Sequence, residues 1–206
     1  RDFVIFDPSD QKSLVKRVLA ELKLAEKQFH PKKLLEFISD FKNRCLLPEE
    51  AAEEALDPWT RKALDAYALY QKALLNHRAC DFDDLLLHTE RLFRNPAVQE
   101  AYARRFRYLM VDEYQDTNRA QYLLVQHLAR QHHNLCVVGD EDQSIYGWRG
   151  ADIRNILDFQ RDFPEATRIE LLMNYRSTRE ILDAASEVIA HNTQRVEGKG
   201  RLETFK

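Results

Sequence analysis

The sequence has few glycines and no glycine-rich phosphate loop. Only 5 of its 206 residues are glycine. The string Gly-x-x-x-x-Gly-Lys-[Ser/Thr], whose backbone amides and lysine hold nucleotide phosphates, occurs nowhere along the chain. None of the five is placed to build such a loop; they are Gly139, Gly147, Gly150, Gly198 and Gly200. A phosphate cradle of this kind is therefore excluded within residues 1–206.

Cysteine, long apolar runs and excess positive charge are also scarce. The three cysteines, Cys45, Cys80 and Cys136, are odd in number and widely spaced, which predicts reduced thiols in a cytosolic protein. No apolar stretch approaches the roughly 20 residues that cross a bilayer, so we expect no membrane association. The net charge of −3 and pI of about 6.2 give no global basic field. This is weak evidence against nucleic-acid binding, because stacking and local basic patches also hold strands.

The first half of the chain is predicted to be helical. Apolar residues recur at helical spacing in several stretches, one beginning near Pro31 and one carrying Trp59. Another helix is predicted to open at residues 81–84, which read Asp-Phe-Asp-Asp; we favour helix capping over metal binding for these acids. Residues 9–105 are therefore expected to form an all-helical subdomain, and residues 1–8 a linker or short strand.

From residue 106 onward, strand and helix patterns alternate. This alternation is typical of a parallel α/β sheet with helices on its faces. The predicted strands are residues 107–112, 135–139 and 168–172, and the predicted helices are residues 118–131, 151–162 and 178–191. Residues 106–192 are therefore expected to form part of such a sheet, and residues 193–206 a flexible linker.

Two adjacent carboxylates, Asp112 and Glu113, follow the apolar run at residues 108–111. That run predicts a strand covered on both faces, and ligands of open parallel sheets gather beyond the carboxyl ends of such strands. Asp112 could hold Mg²⁺ directly or through water, and Glu113 could deprotonate an attacking water. A bare Asp-Glu dipeptide is more often a pair of loop acids that caps the next helix, so both interpretations stay open on these two residues alone.

Two more strings follow later apolar runs. Residues 139–151 include Gln143, a neutral donor and acceptor that can touch both a phosphate oxygen and an attacking water. In the same string, Tyr146 and Trp148 would face one side of an extended segment and could each stack on a base. Residues 174–178 include Arg176, whose fork of donors suits phosphate.

Residues 177–180, which read Ser-Thr-Arg-Glu, also predict a capping box for the following helix. Part of the third string is therefore expected to have a structural task.

In this order, the three strings resemble motifs II, III and IV of the UvrD/Rep/PcrA family of superfamily 1 DNA helicases. The likeness is close from about residue 81 to residue 190. It implies an α/β fold: a partial RecA-like, P-loop NTPase parallel sheet with an all-helical insertion subdomain. It also implies an ATP-dependent 3′ to 5′ helicase that uses ATP and Mg²⁺ on single-stranded DNA and single-strand/duplex junctions, in repair or replication, in the bacterial cytosol or nucleoid.

The resemblance implies roles at the nucleotide. Asp112 serves the Mg²⁺ of Mg-ATP, and Glu113 activates the hydrolytic water. Gln143 and Arg176 contact the γ-phosphate, and Tyr175 stacks on the adenine. The phosphate loop and the second RecA-like domain are expected outside residues 1–206, so this chain alone is expected to be inactive.

For DNA, the resemblance implies that Tyr146 and Trp148 stack on bases of a single strand, with Arg149 linked to the same surface. Two other classes of function remain open. One is a binding or interaction module without catalysis. The other, less favoured, is a metal nuclease, which usually needs several acids that converge on one or two metal ions.

Overall fold

The computed structural model describes residues 3–196 and 198–205, which divide into two compact units. The first unit comprises Arg1–Leu109 and Asn118–Asn134, and the second comprises Met110–Thr117 and Leu135–Lys206. Glu197, which lies in the predicted flexible tail, is outside the described residues. The functional domain boundaries proposed from the sequence stay predictions.

The first unit is built mainly of helices, as the sequence predicts. Several of them start at a proline, whose fixed φ suits the first helical position. The helices are α1 (Pro8–Glu21), α2 (Pro31–Asn43), α3 (Pro58–Asn76), α4 (Phe82–Phe93), α5 (Pro96–Arg105) and α6 (Arg119–Ala129). Two short strands, β1 (Val4–Ile5) and β2 (Ala79–Cys80), pair in parallel. None of the helices in the described part of the chain is long and apolar enough to cross a membrane.

The core of the first unit lies among α1, α2 and α3. Its buried side chains recur at the helical spacing that the sequence shows, and they include Leu14, Val18, Leu34, Ile38, Tyr67 and Leu74. Removing one such apolar side chain from water stabilises the folded state by about 1.5–3 kcal/mol. Aromatic contacts extend this core, since the ring of Trp59 stacks on that of Phe29 at 5.6 Å.

The second unit contains short strands joined by loops and small helices. Its elements are β3 (Leu109–Val111), which begins at the last residue before the unit, β4 (Leu135–Val137), α7 (Arg154–Leu157), α8 (Phe159–Asp162), β5 (Met173–Asn174), α9 (Arg179–Ile189) and β6 (Glu203–Thr204). Strand β3 pairs with β4, and β5 pairs in parallel with β6. The chain is therefore a mixed α/β protein, mostly helical, with two-stranded sheets.

Three predictions about these elements are wrong. Residues 168–172 form no strand, and the strand begins only at Met173. The helix predicted over residues 151–162 is two short helices that meet at Asp158, and the first begins only at Arg154, whose backbone N–H donates to Asp152 Oδ1. The capping box at residues 177–180 is not formed, because Thr178 occupies the N-cap position and its side chain makes no capping bond.

The apolar run before the acidic pair is also less buried than predicted. Tyr108 and Met110 are 80% and 81% exposed. The physical reason is that β3 has one strand neighbour, β4, among the described residues, so no second strand or helix covers these side chains. An apolar run shows that a segment can be buried, but its burial also requires another element to pack against it.

Candidate nucleotide and nucleic-acid site

The acidic pair lies at a sharp turn after β3. Glu113 has a left-handed backbone, with φ 50° and ψ 42°. This conformation costs a non-glycine residue roughly 1–2 kcal/mol. The amide of Glu113 donates to Asp112 Oδ1 at 2.9 Å, and both side chains are exposed. Glu113 makes no capping bond to the three-residue 3-10 helix that follows, and α6 is capped by Asn118. The helix-capping interpretation of the acidic pair is therefore wrong.

Gln115, which the sequence interpretation overlooked, is buried beside this pair. Its Nε2 donates to Glu113 Oε2 at 2.8 Å, and its Oε1 accepts the backbone N–H of Asp140 at 3.1 Å. Its position between two acids of one string was a signal, but its partner Asp140 is 25 residues away in the chain. Only the fold shows that the amide joins the loop after β3 to the loop after β4.

The loop after β4 carries Gln143 at the end of a 3-10 helix. Gln143 Nε2 donates to Asp140 Oδ2 at 2.8 Å, and the same carboxylate forms an ion pair with Lys199. Lys199 Nζ also lies 3.1 Å from Glu141 and 2.9 Å from Asp142. The residue predicted to contact phosphate thus stands beside a cluster of three acids held by one lysine.

Lys199 lowers the pKa of two of these acids, Asp140 and Asp142. Burial works to raise the pKa of Asp140, but hydrogen bonds from Lys199 and Gln143 outweigh it, so its pKa lies below the ordinary value. The pKa of Asp142 is lowered in the same way, against burial, by Lys199 and Asn192. Burial opposes the charge of Lys199 as well, yet its carboxylate partners raise its pKa. The segment around Lys199 is therefore tied electrostatically to this loop.

Tyr146 and Trp148 form an exposed aromatic pair on the same loop. Trp148 is 75% exposed, and the two ring centroids lie 6.4 Å apart at 55°. The Arg149 guanidinium lies over both rings, at 5.3 Å from Tyr146 and 4.6 Å from Trp148. The extended backbone assumed for this segment is wrong, since Gly147–Arg149 is a 3-10 helix. The side chains nevertheless meet, and the three residues form one continuous aromatic and cationic surface.

Tyr175 and Arg176 follow β5 and are both exposed. The Tyr175 ring lies 5.0 Å from that of Phe205, and the backbone N–H of Arg176 donates to Asn174 Oδ1 at 2.9 Å. The Arg176 guanidinium makes no hydrogen bond or ion pair with any described residue. Within the described residues, no bond joins Tyr175 or Arg176 to the acidic pair or to Gln143. The structure thus connects the turn after β3 with the loop after β4, and leaves the third string separate.

The acids at residues 81–84 have a structural role. Asp81 and Asp84 form a capping box at the start of α4, as predicted. Both also bind the fully buried Lys42, whose Nζ lies 2.6 Å from Asp81 Oδ2 and 2.8 Å from Asp84 Oδ1. Burial works to raise the pKa of Asp84, and Lys42 outweighs it, so the pKa is lowered. Cys80 and His88 lie close enough to Asp84 for a metal site, but Lys42 already occupies that carboxylate.

Comparison with known proteins identifies the class of this chain. Residues 1–164 match the UvrD/REP helicase N-terminal domain, so the chain belongs to the UvrD/Rep helicase family. Proteins named ATP-dependent DNA helicase PcrA from Staphylococcus epidermidis and Staphylococcus aureus are 53% and 52% identical to it over 196 residues. These alignments cover 95% of this chain and 27% of each relative. The family resemblance is thereby confirmed, and the chain spans about a quarter of the length of these curated relatives.

Proposed function

We propose that this chain works as part of an ATP-dependent DNA helicase. The helicase would couple Mg-ATP hydrolysis to 3′ to 5′ movement on single-stranded DNA and to unwinding at junctions, in repair or replication. One observation carries the proposal: the acidic turn after β3 is bonded directly to the loop that presents the aromatic pair, through Gln115 and Asp140. The names of the relatives support it, and so does their similarity over most of this chain.

At the nucleotide, we assign Asp112 to Mg²⁺ and Glu113 to the attacking water. One Asp112 oxygen accepts the Glu113 N–H, and no described residue bonds the other. A carboxylate oxygen of this kind is a ligand that Mg²⁺ prefers. When bound, Mg²⁺ would offset the negative charge on the phosphates. Glu113 would orient the water and take up its proton, and its fixed backbone limits where that carboxylate can lie.

Three further residues complete the proposed nucleotide contacts. Gln143 would exchange its bond to Asp140 for one to the γ-phosphate, and Arg176 offers a free guanidinium to the same group. Tyr175 would stack on the adenine through its exposed ring. The fold proposed for this part is RecA-like, of the P-loop NTPase class. Because residues 1–206 contain no phosphate loop, we propose that ATP turnover needs groups beyond those of this chain, and that the chain alone is inactive.

For DNA, we assign Tyr146, Trp148 and Arg149 to a stacking surface for bases of a single strand. Aromatic rings accept any base face, and each stacked base contributes roughly 1–3 kcal/mol. Arg149 adds positive charge next to the rings, where a phosphate backbone would pass. This arrangement explains how a chain with net charge −3 could hold an anionic strand.

Fluorescence of Trp148 tests the DNA assignment. The chain has one other tryptophan, Trp59, which is stacked on Phe29, so Trp59→Phe keeps a ring there and isolates the Trp148 signal. We expect oligo-dT to quench this signal, and Tyr146→Ala to weaken binding by about 5–150-fold, the equivalent of one lost stack. The control Tyr108→Ala removes another exposed tyrosine and should leave binding within about twofold.

The same titration separates the two remaining classes of function. In the full-length helicase, a non-hydrolysable ATP analogue with Mg²⁺ should change the affinity for oligo-dT, because nucleotide and strand act on one connected loop. If the affinity for oligo-dT does not change when the ATP analogue is added, a binding module without catalysis is favoured. Equal loss of binding in the Tyr146 and Tyr108 variants would contradict the stacking surface.

A further inference from the structure

We infer that Gln115 is a positioning residue for Glu113, and that it links the Glu113 carboxylate to the loop that carries Gln143. The inference rests on the proposed function, in which Glu113 activates water. Gln115 itself touches neither nucleotide nor DNA in this scheme, because its side chain is 1% exposed.

The buried amide of Gln115 has its hydrogen-bonding groups in use. Its Nε2 donates to Glu113 Oε2 at 2.8 Å and lies 3.5 Å from Asp116 Oδ2. Its Oε1 accepts the Asp140 N–H at 3.1 Å, and its backbone carbonyl accepts Ser144 Oγ at 3.3 Å. A buried amide with specific partners on both ends has one favourable orientation, because the reversed amide would place like groups together.

The backbone around Glu113 is fixed independently of Gln115. Tyr114 is fully buried, its N–H donates to Val138 O at 2.9 Å, and its ring packs edge-on against Phe159 at 5.5 Å. Glu113 holds a left-handed conformation between these anchors. The remaining freedom at this turn is in the Glu113 side chain, and the bond from Gln115 restricts it.

Gly139 shows that the approach of Gln115 to the second loop is close. A Cβ at this position would lie 2.7 Å from Gln115 Oε1, 2.9 Å from Ile156 Cδ1 and 3.2 Å from Tyr114 N. Such distances leave no room for a side chain. Glycine at residue 139 therefore permits the Gln115 carbonyl oxygen to reach the Asp140 N–H.

The result is a short path between two proposed nucleotide contacts. Gln143 binds the Asp140 carboxylate, the Asp140 N–H binds Gln115, and Gln115 binds Glu113. If Gln143 leaves Asp140 for a γ-phosphate, the shift of this loop would reach Glu113 through a single intervening side chain. Gln115 would thus make the position of the base dependent on the occupancy of the phosphate site.

Gln115→Glu in the full-length helicase tests the role. The substitution replaces the donor with a carboxylate between Glu113 and Asp116, while Lys199 is held at Asp140 and forms no bond with Gln115. We expect kcat to fall at least about tenfold with KM for ATP within about twofold, because only water activation is disturbed.

A matched control and a second variant keep the test decisive. Gln121→Glu makes the same change where the side-chain oxygen accepts the Asn118 N–H, a bond that glutamate retains, and should leave kcat and KM for ATP within about twofold of the wild type. Gly139→Ala displaces the Gln115 amide without adding charge, and should also lower kcat while KM for ATP stays within about twofold. If Gln115→Glu fails to fold in thermal unfolding, Gly139→Ala and Gln115→Asn decide the question by their kcat.

Two results would overturn the inference. One is a kcat of Gln115→Glu, or of a folded Gly139→Ala, within about twofold of the wild type. The other is a folded Gln115→Glu whose KM for ATP rises by as large a factor as its kcat falls, which would indicate a merely structural role. Failure of the proposed function is distinct, since it would appear as normal turnover in Glu113→Gln. If Glu113→Gln is inactive while Gln115→Glu has normal turnover, the proposed role of Gln115 is rejected and the proposed function stands.

Discussion

At the scale of single residues, Lys42 is a fully buried cation that depends on its two carboxylate partners. It is fully buried between Asp81 and Asp84, and the Tyr70 hydroxyl donates to Asp81 at 3.0 Å. We expect Lys42→Met to destabilise the protein by about 3–5 kcal/mol, because it leaves two buried carboxylates without a cation. Urea unfolding followed by circular dichroism measures this free energy.

Lys32→Met is the matched control for Lys42. Lys32 also pairs with a carboxylate, Glu36, at 3.7 Å, but both side chains are largely exposed. Such surface pairs contribute about 0–1 kcal/mol. Equal losses in the two variants would contradict the account of Lys42 as a buried structural cation.

Residue by residue, the sequence predicts the roles that depend on local strings and misses those that depend on distant partners. Helix capping by the acids at residues 81–84 is local and was predicted, and the structure shows it as a capping box of Asp81 and Asp84. The burial of Lys42 against the same acids was not, because 39 residues separate Lys42 from Asp81. Gln115 and Lys199 were missed for the same reason, since both bind Asp140, which is 25 residues from Gln115 and 59 from Lys199.

At the scale of elements, helices were predicted better than strands. Helix α2 begins at Pro31, where a proline and helical spacing mark its start. Strands depend on pairing, and among the described residues the stretch 168–172 has one backbone bond to a strand, from the Glu203 N–H to Leu172 O, so the chain there stays irregular. The spacing of apolar residues therefore predicts a helix more reliably than a short strand, because the strand also needs a partner strand.

The tie between Lys199 and the loop after β4 predicts a pH dependence of stability. Asp140 and Asp142 have pKa values below their ordinary 3.8 in the folded chain. Their contribution is therefore fully present above pH 3.8 and is lost as pH falls through the lower folded values. We expect Lys199→Met to cost on the order of 1 kcal/mol at pH 7 and progressively less below pH 4.

Thermal unfolding of wild type and Lys199→Met between pH 7 and pH 3 measures this difference. Lys72 forms no ion pair among the described residues, so Lys72→Met serves as the control. Its difference in stability from the wild type should stay constant across this pH range. A Lys199→Met deficit that stays constant or grows on acidification would refute the electrostatic tie.

At the scale of the whole molecule, the residues proposed for nucleotide and DNA all lie in the second unit. Their order along the chain was enough to identify the family, and the similarity to PcrA proteins confirms it. Their connection in space could not be predicted, because it depends on how the loop after β4 packs on the turn after β3. The structure joins Glu113 to Gln143 through Gln115 and Asp140, whereas the contacts of Tyr175 and Arg176 with nucleotide stay a prediction.

The central claim is that Glu113 activates water for ATP hydrolysis, and Glu113→Gln in the full-length helicase tests it most directly. We expect a fluorescent ATP analogue to bind within about twofold of wild type, because the amide keeps the shape of the side chain, and DNA-stimulated kcat to fall by about 10²–10⁴. Glu100→Gln, which alters an exposed glutamate on α5, should keep normal turnover. Turnover by Glu113→Gln within about twofold of wild type would contradict the claim.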